Sequence, residues 1–92
     1  MKVTLRFFAR FGELLGKDRV VDVPENTSLA DLVRGAASQN GEGYGSIFDG
    51  QGRFRDFVIV MRNGKRVSAA AADRTTLSEG DEVAVFPPVA GG

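Results

Sequence analysis

The 92-residue sequence predicts an α+β roll, in which one mixed sheet packs on one main helix. Three observations predict it. Apolar residues alternate at period two near both ends of the chain, the pattern of strands with one buried face. One segment between them carries an apolar stripe at helical spacing. Gly, Pro and an Asn-Gly pair punctuate the remainder where hairpins need turns.

Val3, Leu5 and Phe7 alternate with Thr4, Arg6 and Phe8, which predicts a first strand. Gly12 and Gly16 bracket a short turn of helix at Glu13-Leu14-Leu15. Arg19 to Val23 reads as a second strand with Val21 and Val23 inward. Pro24 ends it, because proline cannot donate to the sheet ladder. Asn26-Thr27-Ser28 supplies N-cap residue types. Leu29, Leu32, Val33, Ala36 and Ala37 then recur at helical spacing, predicting one helix of about three turns. Ser28 and Asp31 make a weakened capping box, and Gly41 is the expected terminator.

Residues 41–56 are glycine-rich and predicted irregular, docked through Tyr44, Ile47, Phe48 and Phe54. Their glycines match no phosphate-binding spacing, and no Lys-Ser/Thr follows. Phe57 to Arg62 reads as a strand, Asn63-Gly64 as a tight turn and Lys65 to Val67 as its short partner. Ser68 to Arg74 reads as a surface loop, and Glu82 to Phe86 as the last strand. Asp81 and Glu82 read as a solvated turn and strand start, and Arg53 and Arg55 as solvated. Two hairpins therefore flank one helix, and the helix is the crossover that sets the first and last strands parallel. That order is a roll of the β-grasp type, with a domain over 1–86 and a flexible tail over 87–92.

Composition removes several function classes. Twelve basic and twelve acidic residues cancel, so no strong field favours nucleic acid or an anionic membrane. Without Cys there is no disulfide, thiolate nucleophile or Cys-based metal site, and without His the commonest general base is missing. A cysteine-free, histidine-free chain of this size is a poor candidate for an enzyme, and carboxylate-only catalysis would need a cleft that so small a domain rarely has. No apolar run reaches the length of a membrane span, and Met1-Lys2-Val3-Thr4 lacks the apolar core of a signal peptide, so the cytoplasm is expected.

The tail, Pro87-Pro88-Val89-Ala90-Gly91-Gly92, loses its side chains toward the end. Extended, six residues reach about 20 Å, enough to enter a channel in a partner. Glycines without Cβ permit close approach to a nucleotide or metal site. Alternation also assigns a docking surface: Phe8, Ile59, Met61 and Phe86 share the outer sheet face with Arg6 and Arg66. An apolar patch rimmed by arginine at the root of the tail is a partner site by type. The competing reading lays residues 41–56 over part of it.

Phe7-Phe8-Ala9 with Glu13-Leu14-Leu15-Gly16, and above all Gly80-Asp81-Glu82-Val83-Ala84-Val85-Phe86-Pro87-Pro88-Val89-Ala90-Gly91-Gly92, resemble a known family. It is that of the ubiquitin-like sulfur carriers: the small subunit of molybdopterin synthase (MoaD), the thiamin carrier ThiS and the small archaeal modifier proteins. Ala90 stands where Ser or Thr is common in the family. The resemblance implies a free monomer with no bound cofactor. A separate ubiquitin-activating-type enzyme would use ATP and Mg²⁺ to adenylate the carboxylate of Gly92. Sulfur would then displace AMP to give a thiocarboxylate, or a target lysine would attack to give an isopeptide bond. Lys2, Lys17 and Lys65 are the chain's own candidate acceptors. Three readings stay open: a protein modifier, a sulfur carrier such as the small subunit that serves the large subunit of molybdopterin synthase, and a non-conjugating β-grasp interaction domain.

Overall fold

The computed structural model describes residues 1–88. Its elements run β1 (Lys2–Phe7), α1 (Ala9–Leu15), β2 (Asp18–Asp22), α2 (Leu29–Ala37), α3 (Gly41–Ile47), β3 (Ile59–Arg62), β4 (Lys65–Val67), α4 (Ala69–Ala72) and β5 (Glu82–Phe86). The strands form one mixed sheet in the order β2-β1-β5-β3-β4. The outer hairpins are antiparallel, and central β1 and β5 run parallel, as the helical crossover requires. This is the expected β-grasp roll.

Period two does the sorting. Val3, Leu5 and Phe7 of β1, Val60 of β3, and Val83 and Val85 of β5 point to one side and are buried. They meet Leu29, Leu32, Val33, Ala36 and Ala37 of α2, the stripe expected of the main helix. Ser28 caps α2 by accepting from the Asp31 N–H at 3.1 Å. The β3–β4 turn is Asn63-Gly64 with φ of 50° and 82°, the left-handed pair that a two-residue hairpin demands.

Four local expectations change. β1 stops at Phe7, and the connection to β2 is a seven-residue helix, longer than the turn at Glu13-Leu14-Leu15. Gly41 does not terminate α2; it opens α3. Asn40 makes that possible, its side chain accepting from the N–H groups of Glu42 and Gly43. A Cβ on Gly43 would lie 2.7 Å from the Leu15 side chain, so glycine lets α3 sit close on α1. After α3, Phe48 and Phe54 pair as an isolated bridge with rings 4.6 Å apart, both buried. The stretch read as a loop at 68–74 contains α4, capped by Ser68 and anchored by buried Ala72. Lastly, β3 begins at Ile59, leaving Phe57 in a turn.

Candidate functional site

The side of the sheet away from α2 carries the residues that alternation assigns to it. Register aligns Arg6 with Ala84, Ala84 with Met61 and Met61 with Arg66, a row across four strands. Ile59 stands opposite Phe86 in the neighbouring row. Ile59, Met61, Ala84 and Phe86 are half-buried, and Arg66 is exposed. Ala84, between longer side chains, leaves the middle of the first row low.

Phe8 reaches this face by a different route from the one alternation suggests. It lies just past β1 and is the N-cap residue of α1, with extended backbone. Its N–H donates to the Val85 carbonyl at 3.1 Å, which fixes it against β5. Its ring stacks on Phe86 with centroids 4.3 Å apart and planes 12° from parallel. A stack of this kind contributes about 0.5–1.5 kcal/mol beyond area burial. Phe8 keeps 36% of its surface exposed, so the stacked pair still faces solvent. The Arg6 guanidinium lies 5.9 Å from the Phe8 centroid. It also pairs with Asp18 at 3.1 Å and Glu82 at 3.7 Å, which raise its pKa further.

The competing reading, with residues 41–56 over this patch, is overturned. α3 packs against α1 and α2, and Ile47, Phe48 and Phe54 belong to the core on the helical side of the sheet. Among the described residues, none of 41–56 lies over the outer face where β5 ends. There Pro87 is half-buried and Pro88 exposed. The assignments to Val89, Ala90, Gly91 and Gly92 lie outside the described residues.

Two further apolar side chains are exposed outside the expected set. Phe57, 50% exposed, lies in the turn that precedes β3. Val20, 67% exposed, stands opposite Thr4 on β2.

Asp81 departs from expectation. It is 6% exposed, not solvated. Its carboxylate accepts from Arg62 at 2.9 Å, the Asn63 side chain at 2.9 Å and the Ser78 N–H at 2.8 Å. Burial raises its pKa, but these three donors together outweigh burial and hold it below 3.8. Asp81 thus ties the β3–β4 turn to the start of β5. Glu82 is exposed, as expected, while Arg55 is half-buried and donates to the Gly45 carbonyl at 2.7 Å. Among the described residues, no group of three or more His, Cys, Asp or Glu could hold a metal ion, and no helix is long and apolar enough to cross a membrane. Of the candidate acceptors, Lys2 is paired with Asp22 at 3.1 Å, and Lys17 and Lys65 are exposed.

The model of the ThiS family matches residues 5–92. The chain is 34% identical over 93 residues to Small archaeal modifier protein 3 of Haloferax volcanii, with 100% of each covered. It is also 34% identical over 95 residues to the molybdopterin synthase sulfur carrier subunit of Aedes aegypti, covering 100% of this chain and 90% of that one. The crystal structure of SAMP1 from Haloferax volcanii matches with a TM-score of 0.86 and 27% identity, covering 100% of both chains.

Proposed function

The chain belongs to the ThiS family, as a ubiquitin-like modifier and sulfur carrier, and from that premise we propose that Gly92 is the residue activated. The observation that carries the proposal is the exposed Phe8–Phe86 stack where β5 runs into Pro87-Pro88. A separate activating enzyme docks on this face through Phe8, Ile59, Met61, Arg66 and Phe86. Segment 87–92 then enters its nucleotide site as an extended tail.

The chemistry follows from the carboxylate. Unactivated, it is a poor acyl donor because oxide is a poor leaving group. Adenylation by ATP, with Mg²⁺ held by the partner, releases pyrophosphate and joins the Gly92 carboxylate to AMP. A lysine amine of a target protein attacks the carbonyl, loses a proton and expels AMP, leaving an isopeptide bond. A donor supplying sulfur at the sulfide level attacks the same carbonyl instead, expels AMP and leaves the thiocarboxylate. This chain is the acyl or sulfur carrier, and the catalytic groups belong to its partner, in the cytoplasm. Its likeness to the sulfur carrier subunit from Aedes aegypti favours a second destination, in which the thiocarboxylate serves a large molybdopterin synthase subunit.

Intact mass after incubation with the activating enzyme, ATP, Mg²⁺ and a sulfur donor tests the reading. The full chain gains the difference between sulfur and oxygen, or joins a second protein with loss of water. Deleting Gly91 and Gly92 abolishes both products and leaves the melting temperature unchanged. Activation of the shortened chain, or modification at an internal carboxylate, overturns it.

A further inference from the structure

β4 closes the sheet at the edge opposite β2. The two-residue turn makes Arg62 and Lys65 the hydrogen-bonded pair that closes the hairpin, and Val60 and Val67 the next such pair. Arg66 falls between them, so its N–H and C=O point away from β3 over the open edge. An open groove of about 760 Å³ runs along this edge beside α4, and Val67 and Ala71 give it an apolar lining.

The charge here is one-sided. Arg62 lines the groove but is held by Asp81. Among the described residues, no carboxylate lies within ion-pair distance of Lys65 or Arg66. Arg74, which precedes the groove residue Thr75, likewise has none. Lys65 and Arg66 thus stand as two adjacent unmatched cations on the edge strand, with Arg74 near the groove.

We propose that the β4 edge and its groove bind an extended acidic segment of a partner protein. An added strand pairs with the N–H and C=O of Arg66. On the outer side of the added strand its carboxylates meet Arg66, and the alternate, apolar side chains rest on Val67 and Ala71 beside Lys65. A nucleic acid backbone would answer to the same cations, but would leave the strand edge unpaired, and zero net charge supplies no long-range attraction for it. This surface shares the Arg66 side chain with the docking face, but it rests on the strand edge and not on the activation of Gly92.

The test is titration of the ¹⁵N-labelled full chain with a capped peptide that alternates glutamate with valine. Controls are the same peptide with lysine for glutamate, and a single-stranded RNA of matched charge. The acidic peptide is expected to shift the amides of residues 65–68 and 74–75 saturably. Lys65→Glu combined with Arg66→Glu is expected to weaken it roughly ten-fold or more, as loss of complementary charge at an interface does. The neutral pair Lys65→Gln and Arg66→Gln gives an intermediate affinity, and unchanged signals elsewhere report an intact fold. No shift, equal shifts with the lysine peptide, or shifts with RNA alone overturn the proposal.

Discussion

On one side of the sheet Leu5, Val83 and Val85 have no exposed surface at all. One residue along β5 from Val85, Phe86 remains half-exposed to water on the other side, as do Ile59 and Met61 of β3. Both sets are apolar, so hydrophobicity does not separate them. What separates them is α2: the inner set has a helix to close against, and the outer set has only its own neighbours. An apolar side chain left uncovered contributes less to folding and keeps that free energy available for a partner. The Phe8–Phe86 stack sits between these cases, since it is packed on itself and open to solvent.

Substitutions on the two sides should therefore have opposite signatures. The largest effect is expected inside. Phe7→Ala removes a ring that is 2% exposed and should cost about 3–5 kcal/mol of stability, measured by urea denaturation. A loss under about 1 kcal/mol would mean that the inner face is not closed.

Outside, the loss should fall on binding. Phe86→Asp should weaken docking to the activating enzyme by about 2 kcal/mol or more, roughly thirty-fold. Stability should fall by about 1 kcal/mol, the worth of the stack. Calorimetric titration beside thermal melting separates the two, and unchanged affinity would break the comparison.

A smaller effect is expected at the far end of β5, where Asp81 is buried among its donors. Asp81→Asn should cost about 1–2 kcal/mol at neutral pH, because the Arg62 guanidinium loses its counter-charge. The folded carboxyl titrates below its ordinary 3.8. Its contribution is therefore complete above 3.8 and is lost as the pH falls through the lower folded value. Denaturation midpoints of wild type and variant, measured from neutral pH downward, should converge in acid. Parallel curves would mean that Asp81 carries no such linkage.

The elements legible in the sequence are those bounded by local chemistry. Lys65–Val67 and Glu82–Phe86 are read to the residue. The first follows an Asn-Gly turn, and the second lies between a Gly-Asp turn and two prolines. α3 was not legible, because Gly41, Gly43 and Gly45 argue against a helix by propensity. It forms because Asn40 caps it while donating to the Leu14 carbonyl, and because Gly43 fits against Leu15. α4 is four alanines, too short to carry a periodic stripe. Of the docking face, Ile59, Met61, Arg66 and Phe86 follow from alternation. Phe57 does not follow from that rule, because it stands in a turn ahead of β3. Asp81 could not be read, since Arg62 and Asn63 stand 19 and 18 residues before it.

The sequence by itself determined which residues share a face, where the turns fall, and that the last strand leads through two prolines to Gly91-Gly92. These are properties of neighbours in the chain: the periods of strand and helix, the φ demands of turns, and the missing N–H of proline. Tertiary structure decided which apolar face stays open, that residues 41–56 cover the helical side, and that one carboxylate is buried. Burial is set by residues distant in sequence that meet across β1, β5 and the helices, and period two assigns a side chain to a face without saying what covers it.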